Sequence, residues 1–275
     1  MKTIIHSIKF LLISALCLTI SACSKPQASI VVAGSTSVQP YMEILAEEFM
    51  IFHYDDEIYV QGGGSSAGIT AAENETADIG MSSRNLTDEE SFLWSVEIAK
   101  DGLALIVNPK NPISDLSIEQ LCDIYSGKTT NWSDVGGISS TKDRIHIITR
   151  EEGSGTRSAF ESLVMGKVEI TAKAIVQDSN GAVRQLVSDD PNAIGFISLG
   201  LVDDTVKALS IGGIKATKEN IINESYTLYR PFLLVAASEP KDEVKTFIDW
   251  ILSTAGQKLL TNEGLIAPKE DDDGQ

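Results

Sequence analysis

The sequence predicts an α/β protein of two lobes, each a mostly parallel sheet with flanking helices, joined by two hinge crossings. Three observations point there. Short apolar, β-rich runs alternate with segments of helical periodicity along the chain. The 275 residues are many for one open sheet, and two lobes accommodate them better. Two extended apolar segments, Leu103 to Val107 and Tyr226 to Ala236, are placed to carry the chain from one lobe to the other and back.

In chain order, the first 22 residues read as a secretory signal. Lys2 and Lys9 form a basic start, Phe10 to Ile20 is an apolar run broken only by Ser14 and Thr19, and Ser21-Ala22 are small residues at the exit. The run is short for a membrane span, which takes about 20 apolar residues. Cys23 follows directly, a pattern that resembles the bacterial lipobox, so Cys23 is the expected lipidation site. Residues 23–29 then form a linker. An exported, lipid-anchored chain is implied, on the outer face of the cytoplasmic membrane or, in a cell with two membranes, in the periplasm or at the outer membrane; two acyl chains hold stably where one does not.

Beyond the linker, Ile30 to Ala33 reads as a strand, Val38 to Phe52 as a helix with Met42, Leu45, Phe49 and Phe52 on one face, and Glu57 to Gln61 as a strand. A helix from Ala67 and a strand over Asp78 to Met81 follow. After the first crossing, closed by the turn signal Asn108-Pro109, come a strand over Ile145 to Thr149, a helix over Thr156 to Leu163, a strand over Ala174 to Val176 and a helix over Gly181 to Val187. The lobes are expected at 30–107 with 226–270, and at 108–225. Residues 271–275, with Asp271-Asp272-Asp273, form an acidic tail.

Composition excludes several classes. The formal net charge is −17, and the signal segment carries lysines but no acidic residue, so the processed chain is more acidic still. Such a surface argues against nucleic acid, whose binding rests on Lys and Arg neutralising phosphates. Of the cysteines, Cys17 falls in the signal and Cys122 has no partner, so no disulfide framework is expected. His53 and His146 are the histidines beyond the signal, and no cluster has metal-ligand spacing; neither metal nor cofactor is expected.

Three segments share one design: each follows a strand, is rich in Gly and hydroxyl residues, and opens a helix. They are Gly34-Ser35-Thr36-Ser37, Gly62-Gly63-Gly64-Ser65-Ser66-Ala67-Gly68 and Arg150-Glu151-Glu152-Gly153-Ser154-Gly155-Thr156. Free backbone N–H groups and the positive end of the helix dipole make such a start attractive to anions. Glycine lets backbone approach a ligand closely, and Ser or Thr adds a hydroxyl. Arg150 adds a planar fork matched to two oxygens of a tetrahedral anion. Any one segment is also what an ordinary capped helix start looks like; three with one arginine favour an anion site. Such sites lie outside the carboxyl ends of parallel strands, where these turns fall.

Other motifs overlap the same residues. Gly64-Ser65-Ser66-Ala67-Gly68 fits the G-x-S-x-G nucleophile elbow, making a hydrolase with Ser66 as nucleophile the alternative from another class. His146 would then be the downstream base, yet it lies inside the strand run Arg144 to Ile148. Gly62 to Ala67 fits a loose dinucleotide pattern without the acidic residue that should follow about 20 positions on. Gly127-Lys128-Thr129 ends like a P-loop, but Cys122 stands where its first glycine belongs.

Ala33 to Pro40, Gly62 to Gly68, Asp78 to Arg84, Tyr125 to Lys128 with Asn131-Trp132, Arg150 to Arg157, Asn192 to Phe196 and the Gly256-Gln257 helix resemble, in this order, the phosphate-binding subunit of bacterial ABC phosphate transporters (PstS-like). That family has the type II periplasmic-binding fold, in which two α/β lobes joined by two crossings close over phosphate. The resemblance implies phosphate ligands at Thr36, Ser37, Ser65, Ser83, Arg150, Ser154, Gly155 and Thr156. It also implies no catalysis, a membrane permease and its ATPase as partners, and a monomer. One position departs from the best-known members: Ser83 stands where an aspartate accepts the proton of hydrogen phosphate, with Arg84 beside it. A carboxylate at Glu151 or Glu152 could replace that acceptor, and Arg84 either adds charge to the site or pairs with Asp88. Sulfate, molybdate and phosphonate are therefore alternative ligands, because the element repelling sulfate is weaker.

Overall fold

The computed structural model describes residues 28–137 and 143–268. The signal segment, Cys23 with the linker as far as residue 27, and the acidic tail lie outside the described residues; Ala28 and Ser29, expected in the linker, already pair with Asp56 and Glu57 in the first strand.

The chain opens with a parallel βαβαβ unit. β1 (Ala28–Gly34), α1 (Gln39–Phe52), β2 (Asp56–Gly62), α2 (Ser65–Glu73) and β3 (Ile79–Ser82) follow one another, with β1 between β2 and β3 and parallel to both. The helix α1 buries Tyr41, Met42, Leu45, Ala46 and Phe49 on one face at the 3.6-residue period, but Phe52, expected with them, ends the helix 68 % exposed. Pro40 sits in its first turn, where a missing N–H leaves no intrahelical bond unmade. Gly68 brings α2 down onto the strands: a methyl there would come within 2.5 Å of Ala33 O and Gly34 Cα. Any side chain at 68 would lift the start of α2 away from the β1 turn.

β4 (Trp94–Val107) is the first crossing. Beyond it come β5 (Asp115–Leu116), α3 (Ile118–Tyr125), β6 (His146–Arg150) and α4 (Gly155–Phe160), which runs on into one π turn at Glu161–Met165. β7 (Ile175–Gln177), α5 (Asn180–Asp189), β8 (Ala193–Ser198), β9 (Lys207–Ala208), β10 (Ser210–Ile211) and α6 (Lys218–Ile222) complete this part. β11 (Tyr229–Ala236) returns, and α7 (Asp242–Leu252) and α8 (Thr254–Asn262) close the first lobe.

The strands run in the order β2-β1-β3-β11-β4-β8-β6-β7, with β9 also on β4. Every antiparallel pair in this sheet involves β4 or β11; β2-β1-β3 and β8-β6-β7 are parallel. The parallel part is thus the part that strand–helix alternation builds, and the antiparallel part is the pair of crossings.

Core packing shows where those crossings change lobe. Ile98 and Ala99 of β4 and Phe232 and Leu234 of β11 pack with α1, while Leu233 and Val235 face α2. From Leu103 onward, Leu103, Leu105 and Val107 pack with Trp132, Phe160 and Phe196, whereas Ala104 and Ile106 face Val183 and Val187 of α5. Tyr226 and Leu228 also belong to that second core. Leu103 to Val107, and Tyr226 to Leu228, therefore pack with the second lobe, although the boundaries at 107 and 226 placed them with the first. An unbroken apolar run fits either core, so its composition could not fix the changeover, which falls at Asp101-Gly102 and Tyr229-Arg230.

Candidate functional site

The three turns picked out by sequence meet between the lobes. β1, β2 and β6 end beside the starts of α1, α2 and α4, and the start of α5 joins them. Contacts between lobes are direct: Arg150 Nη2 donates to Thr36 Oγ1 at 3.0 Å, and Asn180 Nδ2 donates to Ser37 Oγ at 2.9 Å. Ser37 Oγ lies 2.8 Å from Thr156 Oγ1, and the Ser66 N–H reaches Gly153 O at 3.1 Å. Ser37, Ser65 and Ser83 are wholly buried, and Ser154, Thr156 and Arg150 nearly so. Gly155 fits because it lacks a side chain; a methyl there would overlap Ser65 Oγ and come 2.6 Å from Ser83 Oγ. All eight sequence-predicted site residues therefore gather in one place.

The helix starts differ in a way that bears on chemistry. Hydroxyls of Ser117, Ser154, Ser179 and Thr217 cap α3, α4, α5 and α6. By contrast, α1 and α2, which open at the cleft in the first lobe, receive no side-chain cap. Their serines are turned to other work. Ser65 Oγ accepts the Ser83 N–H at 3.0 Å, and Ser37 Oγ ties the lobes together. At α1 the Gln39 and Tyr41 N–H groups bond Ser35 O and Val38 O and Pro40 has none, and at α2 the Ser66 N–H bonds Gly153 O, so what these starts offer an anion is chiefly the positive end of the helix dipole.

Arg150 is 1 % exposed. Its Nε and Nη2 grip Glu151 in a bidentate pair at 2.9 and 2.8 Å, and Nη2 also donates to Asp178 O at 3.0 Å. Nη1 is buried and has no partner. An unmade bond from a buried charged donor is costly, so this atom marks where an acceptor belongs. Glu151 is committed to Arg150, while Glu152 lines an outer groove with Arg157 and Glu161; neither takes the place of an aspartate at 83.

Ser83 sits in a hydroxyl cluster instead. Ser35 Oγ donates to Ser83 Oγ at 2.9 Å, and Ser65 Oγ lies 3.3 Å away. Arg84 turns outward into a two-bond pair with Glu90, at 2.7 and 2.8 Å, rather than with Asp88. Glu90 also accepts the Thr87 N–H at 2.8 Å in a capping box, which fixes it for Arg84. Those bonds from Arg84 hold the Glu90 carboxyl below the usual glutamate range.

Sequence reasoning missed a second buried arginine. Arg230, on the return crossing, gives Nε and Nη2 to Asp101 Oδ2 at 3.2 and 3.0 Å, and Nη2 also reaches Ser37 Oγ at 3.1 Å. Asp101 takes a third bond, from Ser198 Oγ at 2.8 Å, and Asn180 Oδ1 accepts the Ser198 N–H. Burial raises the Asp101 carboxyl and lowers Arg230, and their mutual attraction opposes both shifts. The available signal was a charged residue inside an otherwise apolar crossing. Because Asn180 and Arg230 both donate to Ser37 Oγ, its own proton is left for Thr156 Oγ1. Thr156 thereby keeps its own hydroxyl proton free to donate.

The competing readings find no geometry. Ser66 Oγ is approached by Arg84 Nη2 at 3.5 Å, not by a histidine. His146 begins β6, at the end away from Arg150, and pairs with Asp190; His53 stacks on Phe49 at the end of α1. Among the described residues no group of His, Cys, Asp and Glu could hold a metal, and no helix is long and apolar enough to cross a membrane.

Comparison with known proteins agrees with this architecture. The family model for the PBP superfamily domain matches residues 21–255. The phosphate-binding protein PstS of Bacillus subtilis is 32 % identical over 249 residues, covering 88 % of this chain and 81 % of that protein. A phosphate ABC transporter substrate-binding protein from Clostridium perfringens, solved with bound phosphate, superposes with a TM-score of 0.84 at 45 % identity, over 88 % of this chain and all (100 %) of that one. An ABC-type phosphate transport receptor from Vibrio cholerae gives a TM-score of 0.74 at 42 % identity, over 87 % and 100 % of the two chains. These relatives are named as binding proteins and receptors rather than enzymes. The chain belongs to the PBP superfamily and is a PstS-like member of it.

Proposed function

We propose that this chain binds inorganic phosphate between its lobes and delivers it to an ABC permease and its ATPase, as a monomeric extracytoplasmic receptor anchored by lipid on Cys23. One observation carries the proposal: Arg150 Nη1 is buried and unpaired among hydroxyls and uncapped helix starts. The relatives named for phosphate support the same ligand.

Thr36, Ser37, Ser65, Ser83, Arg150, Ser154, Gly155 and Thr156 would form the binding set. Arg150 contributes Nη1, Thr156 its free hydroxyl proton, and α1 and α2 the positive ends of their dipoles. Many donors spread the charge of a desolvated anion, and an anion of the wrong shape leaves some of them unpaired at about 1–3 kcal/mol each. Closing the lobes removes water and completes the set; opening exposes the anion to the permease.

A second reading, a receptor that accepts sulfate as readily, is favoured by the hydroxyl cluster at Ser83. Ser35, Ser65 and Ser83 can accept or donate, so they receive a P–OH without repelling an anion that brings no proton. The test is competitive calorimetry with phosphate, sulfate and arsenate on the unaltered chain and on Arg150→Ala. Phosphate binding that sulfate does not displace, weakened more than about tenfold in Arg150→Ala, is the expected outcome. Equal affinity in the variant would sink the phosphate assignment, and full displacement by sulfate would favour the second reading.

A further inference from the structure

The two buried guanidiniums repeat one arrangement. Arg150 turns its Nε and Nη2 edge to Glu151, and Arg230 turns the same edge to Asp101. Each then reaches one residue of the β1–α1 turn through Nη2, Arg150 to Thr36 and Arg230 to the adjacent Ser37. Each is left with the same atom, Nη1, buried and without a partner. Arg230 is only 2 % exposed.

A plain structural ion pair does not account for this. Asp101 meets only the Nε–Nη2 edge of Arg230 and turns its other oxygen to Ser198, so the pair leaves Nη1 on the far corner without a partner. Two buried cations close enough for the charge of Arg150 to disfavour that of Arg230 gain from an anion nearby. The flanking carboxylates cancel each cation's net charge without covering its Nη1.

We infer that Arg230 is a second guanidinium of the anion site, presenting Nη1 to the ligand from the return crossing while Asp101 balances its charge. The inference rests on reading the cleft as an anion site. It makes the hinge part of the binding surface: the ligand would touch the strand that carries the chain between lobes, so occupancy acts directly on the segment about which the lobes turn.

The experiment is phosphate calorimetry on the unaltered chain and on Asp101→Asn/Arg230→Gln, which replaces the ion pair with two amides and strands no charge. Retained cooperative melting with affinity lower by at least about tenfold, the weakening expected for one lost charged hydrogen bond, is predicted. The loss should be larger in alkaline buffer, where phosphate is a dianion, than in acid; a purely structural role would not move that ratio. Equal affinity in the double variant, with binding by the unaltered chain, overturns this inference alone. No binding by the unaltered chain overturns the functional reading and this inference with it. Should the double variant not fold, Arg230→Lys is read instead. Lysine keeps the charge beside Asp101 but has no Nη1, so reduced affinity supports the assignment and unchanged affinity refutes it.

Discussion

Gly155→Ala isolates closure from folding. Gly155 belongs to the second lobe and faces Ser65 and Ser83 of the first, and its added methyl would overlap Ser65 Oγ and approach Ser65 Cβ to 3.0 Å. The Ser65 hydroxyl cannot simply swing away, because it holds the Ser83 N–H. The lobes must therefore stand apart, which strains the contacts Thr36–Arg150, Ser37–Thr156, Ser37–Asn180 and Ser66–Gly153. Losing two of these at about 0.5–1.5 kcal/mol each costs about 1–3 kcal/mol, or roughly 5- to 150-fold in affinity. In the open form the methyl meets no such wall, and alanine favours the helix by up to about 1 kcal/mol. Calorimetry should thus show weaker phosphate binding while the ligand-free melting temperature stays level or rises slightly. X-ray scattering should show less compaction on adding phosphate. Unchanged affinity with full compaction would refute the wedge argument.

Other outcomes follow from the same geometry. Ser83→Asp places a carboxylate among the hydroxyls, so sulfate should compete less well against phosphate than in the unaltered chain; a competition titration showing no change refutes that role for position 83. Arg84 depresses the Glu90 pKa, so this pair's stabilisation is present above the unfolded glutamate value and is lost as pH falls through the lower folded value. Urea midpoints of the unaltered chain and Glu90→Gln should accordingly converge only in that acid window. Because the net charge of −17 repels a dianion, added sodium chloride should speed phosphate association in stopped-flow, and a marked slowing would contradict the field argument.

The site was legible where it was local. Strand end, glycine, hydroxyl and helix start are contiguous in each turn, so Thr36, Ser65 and Arg150 to Thr156 could be read from short segments whose chemistry is complete within a few residues. Partnerships made across the fold were not. Asp101 and Arg230 are 129 positions apart, and their pairing exists only because the two crossings lie antiparallel with Arg230 opposite Asp101. The start of β4 is hidden in the sequence because Glu97, Lys100 and Asp101 break the apolar pattern that marks Leu103 to Val107. β8 has no period-2 alternation to announce a strand, because all six of its residues are buried. Arg84 was ambiguous because Asp88 and Glu90 are both near in sequence, and only the capping box at Thr87 decides between them.

An acidic protein with an anion site need not be a contradiction, because the two kinds of charge act over different distances. Exposed carboxylates act through water, and beyond about 10 Å salt largely removes them. The buried charges come as matched pairs, Arg150 with Glu151 and Arg230 with Asp101, so the cleft carries little net charge of its own. What remains is directional: two unpaired Nη1 atoms, the free proton of Thr156 and two uncapped helix starts. These are dipoles and donors fixed in place by the fold, and their worth rises once closure excludes water. A site built this way selects by the arrangement of oxygens more than by total charge. Each carboxylate that neutralises an arginine also orients it, leaving only the Nη1 corner for the ligand. Removing Glu151 or Asp101 would therefore increase the local positive charge and still degrade the site, because the guanidinium would lose the contact that aims it.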